Sequence, residues 1–362
     1  VGANGPAAVG IDLGGTNIVV ALVRDGVVEA EHKIATPDGG PQQAIDQIAE
    51  LVADLDHRGS LPVGMGAPGQ VNPGGQLLSK ANLPGWDPPV PLAGMLADAC
   101  GRSRVAVGND VNAAALAEQR HGAGRDCADM LVVFVGTGVG SGLILDGTLR
   151  AGPRGLAGEF GHIIVGLGDR ICGCGGVDHL EAYAGRRCMS ATARSWHAVG
   201  RETDLVRDGG KRAIKSRVYQ AAVADDDEVA LELVSTAAEA LGRGIATVVS
   251  LVDIERVVVG GGLGERLGAP FLARIDAAYR EARFAGAPVE IVPAALGDHA
   301  GAIGAALFAL ESACLSNLPF APVDSLFVWQ ARTRRLVDPT GSSTASCRGW
   351  SSTAASWRWP SG

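Results

Sequence analysis

Glu159-Phe160-Gly161-His162, Cys172-Gly173-Cys174-Gly175-Gly176 and His179-Leu180-Glu181 crowd chemically useful side chains into one short stretch. His162, Cys172, Cys174 and His179 are the right number and softness of ligands for a closed tetrahedral Zn²⁺ site. Taken singly, each would read as a buried histidine or an incidental cysteine pair; the cluster as a whole argues against that. Glu159 and Glu181 bracket the set. A carboxylate accepts two O–H bonds, so the pair suits a neutral polyol.

Three glycine-rich turns point to a nucleotide. Asp12-Leu13-Gly14-Gly15-Thr16-Asn17 closes an apolar run. Its glycines let the backbone N–H groups approach a phosphate, Thr16 and Asn17 can donate hydrogen bonds, and Asp12 could hold a hydrated Mg²⁺. It lacks the spacing of a Walker A loop. Gly136-Thr137-Gly138-Val139-Gly140 follows a second apolar run, and Gly260-Gly261-Gly262 a third. Taken alone, one such turn is more often just a hairpin. Three suggest a nucleotide held between two domains, with the first two turns on phosphates and the third under the adenosine.

Gly108-Asn109-Asp110-Val111-Asn112 stands at the junction of a short strand and a helix. Asn109 or Asp110 could simply cap that helix. The functional alternative makes Asp110 a general base toward a sugar hydroxyl. Phosphoryl transfer asks little more of a protein than positioning, charge stabilisation and one such carboxylate.

The elements that must hold these residues are legible as periodicities. Residues 7–35 read as three strands, with Asp25-Gly26 a hairpin turn. Helical spacing covers residues 41–58, 112–119, 228–252, 264–283 and 300–310. Strands are predicted over 61–66, 105–107, 130–135, 141–145, 148–151 and 256–259. Residues 68–91, rich in Pro, Gly and Asn, read as an extended loop. The order of strands, helix, strand, helix occurs twice, without a close sequence repeat. The expected fold is α/β, with an N-terminal domain over 1–122. A second domain is expected over 123–299, carrying the zinc loop 159–181. Residues 313–362, with Trp350, Trp357 and Trp359 among many serines, read as a disordered tail, or alternatively as an interaction segment.

Composition narrows the classes. The chain has 362 residues, 47% hydrophobic and 19% charged, enough for a globular core. Its net charge of −8 and lack of a basic block argue against nucleic acid as a partner. No run is long and apolar enough for a membrane helix, and the first residues do not resemble a signal peptide. Seven cysteines, two of them in one tight pair, fit a reducing, cytoplasmic setting with a metal site.

Together these motifs resemble the ROK family of sugar kinases and repressors, within the actin-like/hexokinase ATPase superfamily. The resemblance spans roughly residues 7–312, and its specific part is Glu-x-Gly-His followed by Cys-x-Cys-Gly. It implies an actin-like, ribonuclease H-like two-domain fold with an interdomain cleft, the first domain completed by a C-terminal helix at 300–312, and a likeness to glucokinases. The implied phosphate motifs are Asp12, Gly14, Gly15, Thr16 and Asn17, then Gly136, Thr137 and Gly138; Gly260, Gly261 and Gly262 match the adenosine motif. Asn109 matches a sugar ligand and Asp110 the catalytic base. Glu159, His162 and Glu181 match further sugar ligands, with Gly69 and Asn82 at the rim. His162 would serve twice, one ring nitrogen on zinc and the other toward the sugar. The family also implies a homodimer.

The departure is His179, where members usually carry a third cysteine; Cys₂His₂ is still a competent zinc set. Gly185 stands near a position where many members have serine. The resulting expectation is an ATP- and Mg²⁺-dependent hexose kinase with structural zinc and glucose as its first substrate. An N-acetylhexosamine kinase is the alternative. A repressor would need a DNA-binding segment before Asp12, where only 11 residues stand. ATP and polyphosphate as donors are not distinguished at this level.

Overall fold

The structure is a computed structural model and describes residues 5–79, 83, 85–103, 105–206 and 213–316. Asn82 and residues 317–362, which carry most of the expected tail, lie outside the described residues.

The chain opens with strands β1 (Ala7–Leu13), β2 (Asn17–Arg24) and β3 (Val27–Ala35), then helix α1 (Gly40–Leu55), strand β4 (Val63–Ala67), helix α2 (Leu92–Cys100) and strand β5 (Ala106–Asn109). Helix α3 (Asp110–His121) follows with no intervening loop. The strands form one sheet in the order β3-β2-β1-β4-β5, antiparallel through β1–β3 and parallel through β1, β4 and β5.

The theme then repeats. β6 (Met130–Val135), β7 (Val139–Leu145) and β8 (Thr148–Leu149) precede a long excursion. That excursion holds the 3-10 turn Phe160–His162 and helices α4 (Leu180–Ala184), α5 (Arg186–Ala198), α6 (Ser216–Ala224) and α7 (Glu228–Val252). β9 (Arg256–Gly260), α8 (Gly261–Ala282), β10 (Glu290–Pro293) and α9 (Ala300–Ser316) complete the described chain. The second sheet runs β10-β9-β6-β7-β8, with β9 and β10 parallel to β6 and the hairpin antiparallel. Read from the other edge, it has the connectivity of the first.

Most sequence-predicted elements are present with shifted ends. The helix predicted to end at Leu310 continues to Ser316, so residues 313–316 belong to α9 and not to a tail. The helix predicted over 264–283 is two helical segments that meet at Gly268, whose φ of 60 no helix interior adopts.

Leu13, Ile11 and Val9 of β1 pack with Ile45, Ile48 and Val52 of α1 on one face of the first sheet. The other face is covered from the far end of the sequence. α9 lies against β1 and β4 so closely that a Cβ at Gly10 or Gly64 would strike the carbonyl oxygens of Ala302 or Ala305. α3 packs on α9 and reaches across to β7, tying the two sheets together. Glu118 of α3, fully buried, accepts hydrogen bonds from the Ala123, Ala295 and Leu296 N–H groups.

Candidate active site

Parallel strands leave a crevice beyond their carboxyl ends, and ligands of open α/β sheets bind there. Asp12 and Gly66 pair one residue before the ends of β1 and β4, Gly69 follows β4, and Asn109 ends β5. The second sheet places Gly136 just past β6 and Gly260 at the end of β9. The β1–β2 turn with Gly14, Gly15 and Thr16 and the β6–β7 turn with Gly136, Thr137 and Gly138 therefore hold equivalent positions in the two sheets.

The first turn is held by the Gly14 N–H donating to Asn17 O at 3.0 Å and the Thr36 hydroxyl donating to Gly14 O at 2.6 Å. Asp12 beside it is raised to about 7, by burial first and then by Asp110 and Asp298, with Lys33 acting against them. Gly66 stands between the two: it pairs with Asp12 across β1 and β4, and a Cβ on it would lie 3.1 Å from the Asp110 Cα, so Asp12 and Asp110 border one space. The first turn of α9 closes that space, since a Cβ on Gly301 would meet the Asp12 carboxylate.

Asn109 both caps α3 and shapes the site. Its Oδ1 accepts from the Asn112 N–H at 2.9 Å, while its Nδ2 donates to Gly69 O and to Asp110 Oδ1, each at 3.0 Å. Asp110 Oδ1 also accepts from the Val111 N–H at 2.8 Å. Burial pushes Asp110 up to about 6, and the hydrogen bonds from the backbone and Asn109 pull it part of the way back.

The second half of the site is built on β7. Val111, next to Asp110, lies against Gly140. The neighbouring Ser141 donates to Gly158 O and accepts from the Phe160 N–H, which ties the segment carrying Glu159 to the same strand. Gln70 Nε2 donates to Arg154 O at 2.9 Å and links the two rims. Glu181 reaches the second glycine turn, its Oε2 accepting from the Val139 N–H at 2.8 Å. The third turn adjoins the second: Gly261, with φ of 81, sits against the Val135 backbone.

His162, Cys172, Cys174 and His179 converge, with one ligand atom from each within 4.8 Å of all the others. Bonds of about 2.0 Å to nitrogen and 2.3 Å to sulfur give a tetrahedron with edges of roughly 3.3–3.8 Å. Cys174 Sγ is 3.7 Å from His162 Nδ1 and 3.2 Å from His179 Nδ1, and Cys172 Sγ is 3.9 Å from His162 Nδ1. The donor set thus fits a zinc ion. His162 turns its Nδ1 to the thiols and its Nε2 toward Glu159 Oε2, at 3.7 Å. Burial pushes the Cys172 thiol up to about 12, so a thiolate there needs a cation beside it.

Two supporting carboxylates escaped the sequence reading. Asp178 accepts from the N–H groups of Gly166, Leu167 and Gly168 and from the Tyr183 hydroxyl, bracing the cysteine loop. Asp298 stands at the start of α9 within electrostatic reach of Asp12. Asp298-His299-Ala300 directly before an apolar helical run is a signal that could have singled out the second. Asp178 is separated from its partners by a loop that no periodicity describes.

Two five-stranded mixed sheets of one connectivity, each with a glycine turn at the equivalent place, are the plan of the actin-like ATPase fold. A family model, ROK, matches residues 8–312, and the chain belongs to the ROK family. It is 34% identical over 312 residues to a glucokinase of Aeropyrum pernix, covering 82% of this chain and 94% of that one. It is 33% identical over 301 residues to an N-acetylmannosamine kinase of Shigella boydii, covering 83% and 97%. A crystal structure of a ROK family glucokinase from Streptomyces griseus, in complex with glucose and AMPPNP, superposes with a TM-score of 0.72 at 32% identity, covering 84% of this chain and 99% of that one.

Proposed function

We propose that this chain is an ATP-dependent hexose kinase whose main activity is the conversion of glucose to glucose 6-phosphate. One observation carries the reading. The Asn109–Asp110 pair lies where β5 meets α3, and Gly66 alone separates Asp110 from Asp12 beside the first glycine turn, so the two carboxylates can share a cleft. The glucokinase relatives, and the glucose and AMPPNP bound in the Streptomyces griseus structure, point the same way.

In this reading Asn109, Glu159, His162 and Glu181 bind the sugar hydroxyls, with Gly69 and Asn82 at the rim. Asp110 takes the proton of the attacking hydroxyl as its oxygen bonds to the γ-phosphorus and the bond to the β-phosphate oxygen breaks. The turns at 14–17 and 136–138 bind the phosphates, and the turn at 260–262 supports the adenosine. Asp12 would hold a hydrated Mg²⁺, whose charge offsets that of the transferring phosphoryl group. His162, Cys172, Cys174 and His179 would hold a zinc ion that fixes the loop bearing His162 and Glu181.

The proposal extends to a cytoplasmic homodimer, and to a division near residue 122 with α9 returning to the first domain. Light scattering of the purified protein tests the dimer.

The deciding experiment is a coupled ADP-release assay over glucose, mannose, N-acetylglucosamine and N-acetylmannosamine. Glucose should give the highest kcat/KM. The N-acetylmannosamine kinase relatives, at nearly the same identity as the glucokinases, make an N-acetylhexosamine kinase the second reading. A higher kcat/KM with an N-acetylated sugar would replace the first reading with the second. No turnover on any of the four would remove both.

A further inference from the structure

We propose that Arg186 binds the phosphate chain of the donor nucleotide, a role that rests on the kinase reading above and adds a residue to it. The start of α5 is stitched to the second glycine turn: the Arg186 N–H donates to Gly136 O at 3.1 Å and the Arg187 N–H to Thr137 O at 3.0 Å. Gly185 makes this approach possible, because even a Cβ there would press on Glu181 and on the Gly138 Cα.

The Arg186 side chain returns along the same turn. Its Nη2 donates to Thr137 Oγ1 at 3.1 Å and its Nη1 to Ile214 O at 2.8 Å. Its Nε is buried without a partner, and no carboxylate among the described residues pairs with it. Burial pulls its pKa below the ordinary arginine value. A half-buried guanidinium facing only neutral oxygens is an incompletely compensated charge, and such a group gains most from an anion.

The room for that anion lies in front of the turn. Thr137 is exposed, and nothing comes within 4 Å of where a Cβ on Gly136 would stand. The strand of chain that Arg186 grips through Ile214 leads to Ser216. Its Oγ is 3.5 Å from where a Cβ on Gly262 would stand, in the third turn. Arg186 thus touches the phosphate turn directly and borders the adenosine turn through the Ile214–Ser216 segment. That position corresponds to the inner phosphates, which stay with the nucleoside when the γ-phosphoryl group leaves. Contact there strengthens ATP and ADP alike, so Arg186 contributes to donor affinity and not to the chemical step.

The test is nucleotide binding measured without sugar, by competition against a fluorescent ATP analogue, on the wild type, Arg186→Gln, Arg186→Met and Arg186→Lys. Gln retains a neutral donor for Ile214 O or Thr137 Oγ1, which guards against a merely unfolded variant. Arg186→Gln and Arg186→Met should each weaken ATP and ADP by about tenfold or more. Adenosine affinity, glucose affinity and melting temperature should be unchanged. Arg186→Lys should recover part of the loss, since an ammonium supplies charge without the planar fork. ATP affinity within about threefold of wild type in Arg186→Gln overturns the proposal, as does an equal loss for adenosine and ATP. A wild type that binds no nucleotide overturns it together with the kinase reading. A wild type that binds ATP but phosphorylates none of the four sugars removes the sugar assignment and leaves Arg186 to be judged by binding.

Discussion

Asp110 is the residue whose charge the proposed reaction uses, and its surroundings set the pH at which it can act. Burial raises it to about 6, so the base form is lost as pH falls through 6 and kcat/KM should drop about tenfold per unit below that. Asp12, at about 7, must also ionise to hold a cation, so the decline begins nearer pH 7 and steepens toward about a hundredfold per unit where both are protonated. A profile flat down to pH 5 would contradict this. Asp110→Asn keeps the shape and the cap but not the base. It should cut kcat by about 10²-fold or more while glucose binding, followed by intrinsic fluorescence, stays measurable. The pair Asn109-Asp110 was legible in the sequence because it stands at a strand end. Its double use was not legible: capping and catalysis looked like alternatives, yet Asn109 caps with its oxygen and orients Gly69 and Asp110 with its nitrogen. Arg186 was illegible for a simpler reason. Only folding brings it beside Thr137, 49 residues away.

In the proposed site the loop from Glu159 to Glu181 would carry three of the sugar ligands, and Asp178 holds its shape. Burial works against the ionised carboxyl, but the hydrogen bonds from Tyr183 and three successive N–H groups outweigh it and hold Asp178 below the usual carboxylate range. Arg170 extends the brace, lying 5.0 Å over the Tyr183 ring and 5.6 Å from that of Trp196. Asp178→Ala leaves those donors without their acceptor and should cost about 2–4 kcal/mol in urea unfolding, with earlier release of any bound zinc. At this scale the sequence was most readable where one face is uniformly apolar, as in α7, with Leu233, Ala237, Leu241, Ile245 and Val249 all buried. It was least readable in α5, where only Met189, Ser190 and Ala193 are buried, and in β10, a four-residue edge strand with no fully buried position. Such elements are held by what they pack against, and their own residues give little sign of it.

Two copies of one sheet plan, joined through α3 and α9, make up the body of the described residues. The doubled plan was readable as a recurring order of elements; the pairing of α9 with the first sheet came only from the family resemblance. A zinc ion would act at this scale as well, because its proposed ligands lie in the second half, on the loop that bears Glu159 and Glu181. Chelation should weaken glucose binding at least tenfold while changing ATP affinity far less. Equal losses for both would mean the metal supports the entire fold. Glu118 is the polar counterpart of the helix contacts. Glu118→Ala would strand the Ala123, Ala295 and Leu296 N–H groups and should lower unfolding free energy by about 3 kcal/mol or more.

The seating of α9 on β1 and β4 also bears on biosynthesis. Ala8, Ala21 and Val23 are sealed by Ala302, Ile303 and Ala306, which leave the ribosome long after the strands they cover. Until then the nascent chain carries an uncovered, glycine-notched sheet face. Chains stalled before Ala300 should therefore be captured by holdase chaperones and cut readily by proteases, whereas chains released after Ser316 should resist both.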